Sequence, residues 1–114
     1  MNTIISSLSK NEDFKKILNG SKISNKYTII FYRKIPLQRS GCLNLSIIVK
    51  KKLGSAVIRN KIKRRLRNIV NHASKNININ LKYSYLFIAK KNVFDDDYNI
   101  IKEYIFNDLK KIKT

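Results

Sequence analysis

Between Phe14 and Phe94 the chain contains no acidic residue at all. Its 7 acids are confined to Glu12 and Asp13 near the start and to Asp95, Asp96, Asp97, Glu103 and Asp108 near the end. Against them stand 25 Lys and Arg, for a formal net charge of +18. Solvated surfaces ordinarily interleave both signs. Helices and strands formed within this body have no ion pair available from within it. They must be held by apolar contact against a self-repulsion that opposes compaction. Charge of that kind implies a polyanionic partner, nucleic acid first and an acidic membrane surface second.

An apolar core is available. The chain is 114 residues long and 43% hydrophobic, which suits one domain over residues 1–114 and leaves no room for a second core. Cys42 is alone, so no internal disulfide forms, and a small buried apolar role is expected for it in a reducing cytoplasm. Met1 to Leu8 lacks the basic start and apolar run of a secretory signal. No stretch approaches the roughly 20 apolar residues of a membrane span, so a soluble, cytoplasmic protein is expected. Asn, Lys and Ile are abundant, as an AT-rich genome would produce, which makes the arginines better witnesses of function than the lysines.

Hydrophobic periodicity orders the chain. Ser9 or Asn11 can cap a first helix with Glu12 and Asp13 in its first turn; Phe14, Ile17 and Leu18 recur at helical spacing, and Asn19-Gly20 ends it. Tyr27 to Arg33 reads as a strand, with Tyr27, Ile29 and Phe31 facing one way and Thr28, Ile30 and Tyr32 the other. Pro36 to Gly41 reads as a loop. In Leu43 to Lys50, Leu43, Leu45, Ile47 and Val49 share one face. Ser55 is an N-cap candidate for a helix over Ala56 to His72, whose Ile58, Ile62, Leu66, Ile69 and Ala73 form one stripe. Tyr83 to Ala89 is an apolar run suited to a buried strand. Asp95-Asp96-Asp97 is expected to open a last helix lined by Ile101, Ile105, Leu109 and Ile112. The fold class is α+β, a single-domain α/β sandwich in the order αβββαβα.

The helix after Gly54 concentrates the charge. With Ile62 at the buried centre, Asn60, Lys63, Arg64 and Arg67 lie on the opposite face; Arg59 flanks one edge of the stripe, and Lys61 and Arg65 lie toward the other. No Glu or Asp at i±4 relieves them. A merely solvated face gains from alternating signs, whereas like charges four apart repel. Guanidinium groups bind two phosphate oxygens at once and stack on bases, and Asn60 adds a neutral donor and acceptor. Lys50, Lys51 and Lys52 extend the patch to the end of the preceding strand.

The run Lys51-Lys52-Leu-Gly54-Ser-Ala56-Val57-Ile-Arg59-Asn60-Lys61-Ile-Lys63-Arg64-Arg65-Leu-Arg67 resembles the bacterial ribonuclease P protein family. That family carries Lys-Lys, Gly, Ala-Val, Arg-Asn-Arg, then Lys-Arg and Arg. The opening Leu8-Ser-Lys10-Asn11-Glu12-Asp13-Phe14 and the Phe31-Tyr32 pair extend the resemblance over nearly the whole domain. Departures are Lys61 for the second Arg of Arg-Asn-Arg, Asn44 and Ser46 for a usual Arg and Gly, and Leu18 for a common aromatic.

The resemblance implies a left-handed βαβ crossover, against the usual right-handed rule. It also implies two partners, in a complex of one protein with one RNA: a catalytic RNA that frees the mature 5′ end of tRNA with Mg²⁺, and precursor tRNA. In that reading Lys51, Lys52, Arg59, Asn60, Lys61, Lys63, Arg64, Arg65 and Arg67 bind RNA. Phe14, Tyr32, Lys52, Lys63 and Arg67 hold the single-stranded 5′ leader in a cleft between sheet and first helix. At helical spacing Phe14 suits the core at least as well as a stacking role, and Tyr32 suits either equally; as stacking faces, each is worth roughly 1–3 kcal/mol.

Nothing in the sequence suits protein catalysis. His72 is the only histidine, without a sequence-near carboxylate; Asp95 to Asp97 suits a helix start better than a metal; and no Cys/His spacing or glycine-rich phosphate loop occurs. The protein itself is expected to bind no cofactor or metal, with Mg²⁺ belonging to the RNA. A ribosomal protein or general RNA chaperone is the main alternative, although such proteins often carry their charge on tails. A DNA-reading helix-turn-helix needs a companion helix where Leu43 to Lys50 reads as strand. A membrane-surface helix calls for aromatics on the apolar stripe, which has none.

Overall fold

The computed structural model describes residues 4–7, 11–34, 42–77, 79 and 83–112, and within them the side chains from Lys15 onward apart from Cys42. The expected loop at Pro36, the cap at Ser9 and the side chains of Phe14 and Cys42 lie outside the described residues.

The strands are β1 (Ile4–Ser7), β2 (Ser21–Ser24), β3 (Thr28–Lys34), β4 (Cys42–Ile48) and β5 (Tyr83–Ala89). They form one 5-stranded sheet in the order β1-β4-β5-β3-β2. The helices are α1 (Asn11–Leu18), α2 (Ala56–Asn76), the one-turn α3 (Asn92–Asp95) and α4 (Tyr98–Lys111). The α+β class holds, and the expected order αβββαβα is present as α1, β2, β3, β4, α2, β5 and α4. Two elements are additional. β1 is a strand because it pairs in parallel with β4; a 4-residue segment, Ile-Ile-Ser-Ser, shows no alternation that reveals such non-local pairing. α3 is one turn long, too short to show a helical period.

β4 and β5 are parallel neighbours joined through α2, which is the crossover unit the family resemblance calls for. β3 runs antiparallel to both β5 and β2. The register aligns Leu45, Tyr85 and Tyr32 across one face, with Ile47, Phe87 and Ile30 in the next row. These residues join Ile62, Leu66, Ile69 and Ala73 of α2 and Ile101, Ile105 and Leu109 of α4 in the main core. Alternation puts Ser46, Leu86 and Phe31 on the reverse face, where Ile17 of α1 packs on Leu86. The sheet therefore separates α1 from α2 and α4.

Tyr27 lies just before β3 and joins the main core rather than following the strand's alternation. Asn25 turns the chain there: its Oδ1 accepts the N–H groups of Tyr27 (2.7 Å) and Thr28 (2.8 Å), and its Nδ2 donates to Asp108 Oδ2 at 2.7 Å, tying α4 to the β2–β3 turn.

The acidic triplet divides its work differently from expectation. Asp95 closes α3, and only Asp97 stands at the N-cap of α4, without a side-chain cap bond. Asp96 instead accepts the Tyr27 hydroxyl at 2.7 Å and lies 3.6 Å from Lys26 Nζ. The nearby tertiary donor outcompetes a cap that solvent can replace.

The Asp96 hydrogen bond, with burial and the carboxylate's charge, pushes the Tyr27 phenol from 10.0 up to about 12. The folded value is the higher one, so the neutral, donating phenol adds stability below pH 10, and that stability is lost as pH rises through 10 toward 12. Wild type is expected to exceed Tyr27→Phe in urea midpoint at pH 8, with the gap closing above pH 10. A gap constant to pH 11 would show the bond to be irrelevant to the fold.

Candidate nucleic-acid interface

The approach to α2 is fixed by backbone and cap. Gly54 has φ 151°, outside the range side-chain-bearing residues favour, and a Cβ there would lie 3.0 Å from Ile58. The Ser55 hydroxyl accepts the Ile58 N–H at 3.4 Å, the N-cap expected of it. Arg59 Nε donates to the Gly54 carbonyl at 3.2 Å, bracing the same turn. Ile62, Leu66, Ile69, Val70 and Ala73 are buried on the sheet side. The helix runs to Asn76, one turn past the expected His72, because core contact continues through Ala73 and Asn76 Nδ2 caps the His72 carbonyl at 2.8 Å.

The outward face matches the sequence reading. Asn60, Lys63, Arg64 and Arg67 are exposed, as are Lys51 and Lys52 in a 3-10 turn at Lys51–Leu53 ahead of the helix. The ion pairs found among the described residues are Lys26–Asp96 and Lys111–Asp108, neither on α2. The described acidic side chains all belong to α3, α4 and the two residues between them, so this surface is one of uncompensated positive potential.

Three of the expected RNA-binding cations are engaged within the fold. Arg65 Nη1 donates to the carbonyls of Val93 (2.9 Å) and Asp96 (2.8 Å), clamping the α3–α4 junction onto α2. Lys61 Nζ sits 4.5 Å from the centre of the Phe94 ring, and Arg59 braces Gly54. They lie at the edges of the apolar stripe, where neighbouring elements reach them, and each contact adds a structural role within the fold. Burial holds the Tyr98 phenol above its ordinary range beside Arg65, whose charge pulls the other way.

Among the described members of the expected leader-binding set, Tyr32, Lys63 and Arg67 are placed on the side of the sheet away from α1. Tyr32 is half-buried on the main-core face, its ring 5.4 Å from Tyr83 in an edge contact, with the sheet between it and α1. Lys63 and Arg67 are on α2, on that same far side. The aromatic on the α1 face is Phe31, half-buried against Ile17 and Leu86. Strand alternation showed that Phe31 and Tyr32 point oppositely; it carried no sign of which face α1 covers. Beside Phe31 the half-buried Ile29, Ser46, Ile48 and Ile88 share its face of the sheet. Phe14 is on α1, its side chain outside the described residues.

Among the described residues, no group of three or more His, Cys, Asp or Glu comes together as a metal site, and no helix is long and apolar enough to cross a membrane. His72 is exposed, its ring edge-on to Tyr98 at 6.5 Å.

Comparison with known proteins agrees with this geometry. The family model described as Ribonuclease P matches residues 5–113. The ribonuclease P protein component of Caldanaerobacter subterraneus subsp. tengcongensis is 30% identical over 112 residues, covering 94% of this chain and 89% of that protein. That of Clostridium botulinum is 32% identical over 105 residues, covering 90% and 89%. The solved ribonuclease P protein from Thermotoga maritima superposes with a TM-score of 0.78 at 28% identity, covering 96% of this chain and 99% of that one. The Staphylococcus aureus protein at 2.0 Å gives 0.73 at 28% identity, covering 92% of each.

The division between anchored and free arginines is measurable. Arg65→Ala is expected to lower urea-unfolding stability by roughly 1.5–3 kcal/mol, the scale for hydrogen bonds to a charged group. Arg64→Ala is expected to change it by less than about 0.5 kcal/mol. Equal losses in the two variants would contradict the division.

Proposed function

The chain belongs to the ribonuclease P protein family, and from that premise we propose that it is the RNA-binding subunit of a cytoplasmic ribonucleoprotein that removes the 5′ leader of precursor tRNA. The partner RNA carries the chemistry with Mg²⁺, and one protein joins one RNA. The observation that supports this most is the outward face of α2, where Lys63, Arg64 and Arg67 are exposed, with Lys51 and Lys52 exposed ahead of the helix, and none of them has an acidic partner among the described residues.

The physical role is charge management. A catalytic RNA and its tRNA substrate are both polyanions, and Mg²⁺ must screen their repulsion before they meet. A protein whose cations contact phosphates of the folded RNA releases counterions on binding and removes part of that repulsion. The Mg²⁺ requirement for assembly falls as a result. Asn60, neutral within the cations, adds a hydrogen bond to sugar or base edge without demanding charge. On the other side of the sheet, Phe31 offers a ring to an unpaired base, and stacking of that kind is tolerant of sequence. Folded RNA at α2 and the unpaired leader beside α1 then occupy opposite sides of the sheet.

Reconstitution with the cognate catalytic RNA tests the reading. At Mg²⁺ too low for the RNA alone, adding the chain is expected to restore precursor cleavage. The Arg64→Ala/Arg67→Ala double variant is expected to lose most of that stimulation with an unchanged circular dichroism spectrum. No stimulation by wild type would overturn the proposal.

A further inference from the structure

The C-terminal third of α2 differs in kind from the cationic run before it. From Asn68 to Asn76 its polar side chains are amides, a hydroxyl and the His72 imidazole, with Lys75 as the one cation. Asn68, His72, Lys75 and Asn76 are exposed. Asn76 is used locally, on the His72 carbonyl. The side chains of Asn68, His72 and Lys75 make no hydrogen bond or ion pair to any described residue. Arg64, Asn68 and His72 succeed one another four residues apart, so this stretch continues one row of the helix surface.

α4 meets that row with one of its edges. Tyr98, half-buried against the main core, meets the His72 ring at 6.5 Å between centroids and 83° between planes. Lys102 stands one turn further along the same edge, its Nζ 5.9 Å from the centre of the Phe106 ring. The opposite edge of α4 faces the β2–β3 turn, where Tyr104 packs on Tyr27 at 5.3 Å and Asp108 is tied to Asn25. The charges divide in the same way. Burial raises the Tyr98 phenol, and the charge that bears on it is that of Arg65. Asp96, through its hydrogen bond and its charge, and Asp97 bear instead on Tyr27. Glu103, exposed, is turned about 100° around the helix from Lys102 and further from Tyr98.

An edge-on contact leaves at least one face of the imidazole uncovered, whichever ring presents its edge. It also restricts the rotation of the His72 ring, so that a partner stacking there finds it already placed. A flat ring beside a free amide and flanking cations is the set of groups with which proteins hold unpaired nucleotides. We infer that the seam between α2 and α4 is a second RNA site, where an unpaired base of the catalytic RNA stacks on His72. Asn68 hydrogen-bonds the edge of that base, and Lys75 and Lys102 take the flanking phosphates. The seam lies on the side of the sheet away from α1 and adjoins the outward face of α2, which makes the catalytic RNA its occupant. The inference rests on the proposed RNA-binding role of α2 and adds to its grip on phosphates a contact that requires an unpaired base.

The test measures affinity of the full chain for the catalytic RNA without tRNA, as a function of salt. His72 is an exposed helical position where Ala is the better helix former, so His72→Ala is expected to keep the circular dichroism spectrum and urea midpoint of wild type. Its affinity is expected to fall roughly 5- to 150-fold, the worth of one stacked base, with the salt slope unchanged. His72→Phe is expected to restore the affinity, and His72→Lys, a cation without a ring, is expected to leave it low. Lys75→Ala/Lys102→Ala is expected to flatten the log–log slope by about 1.4, at about 0.7 for each single-strand phosphate. Wild-type affinity in His72→Ala, or binding by His72→Lys as tight as by His72→Phe, would overturn the stacking site. A loss confined to tRNA binding by the assembled holoenzyme would overturn the assignment to the catalytic RNA. A wild-type chain that does not bind the catalytic RNA would instead overturn the parent reading, a separate result.

Discussion

The whole structure depends on the apolar contact between α2 and the core, because α2 carries no acid of its own to offset its charge. The like-charge pairs Arg59–Lys63, Lys61–Arg65 and Lys63–Arg67 sit four residues apart with no acid between them; at a few tenths each they cost roughly 1 kcal/mol together. Burial of Ile62, Leu66, Ile69 and Val70 contributes roughly 1.5–3 kcal/mol for each side chain. The buried stripe wins by several-fold, which allows the outer face to remain all cation. A protein needing only stability would place acids on that face. Their absence fits a surface completed by another molecule's phosphates.

That arrangement also explains where the acids went. Asp96 and Asp108 work inside the fold, joining the Tyr27 hydroxyl, the Asn25 amide, Lys26 and Lys111. They hold α3 and α4 against the β2–β3 turn, on the flank of the molecule away from the outward face of α2. Arg65 completes the join by gripping two carbonyls of that region. One arginine of the basic run thus positions the scaffold, while its neighbour Arg64 stays free.

Most of the fold was legible in the sequence because its determinants are local. The stripe from Ile58 to Ala73, the alternation of Leu43 to Val49 and the Ser55 cap each follow from spacing alone, and Phe87, Phe94 and Phe106 lie in or against the core. What escaped was non-local. β1 exists through pairing with β4. Asp96 is drawn from the helix start by a tyrosine 69 positions earlier. Phe31 and Tyr32 are adjacent aromatics of equal promise, and only the placement of α1 against Leu86 decides which one shares its face of the sheet. The edge cations of α2 show the same limit: a helical wheel finds the edge, and the tertiary neighbours Gly54, Phe94 and Asp96 decide what happens there.

The central claim is that the acid-free face of α2 grips RNA through phosphates, and the salt dependence of affinity for the catalytic RNA measures it most directly. With Lys51, Lys52, Lys63, Arg64 and Arg67 in contact, the log–log slope is expected near −4 to −5, about 0.9 for each duplex phosphate neutralised. An affinity that stays flat as salt rises would mean that this surface meets its partner without engaging its charge, and the account would fail.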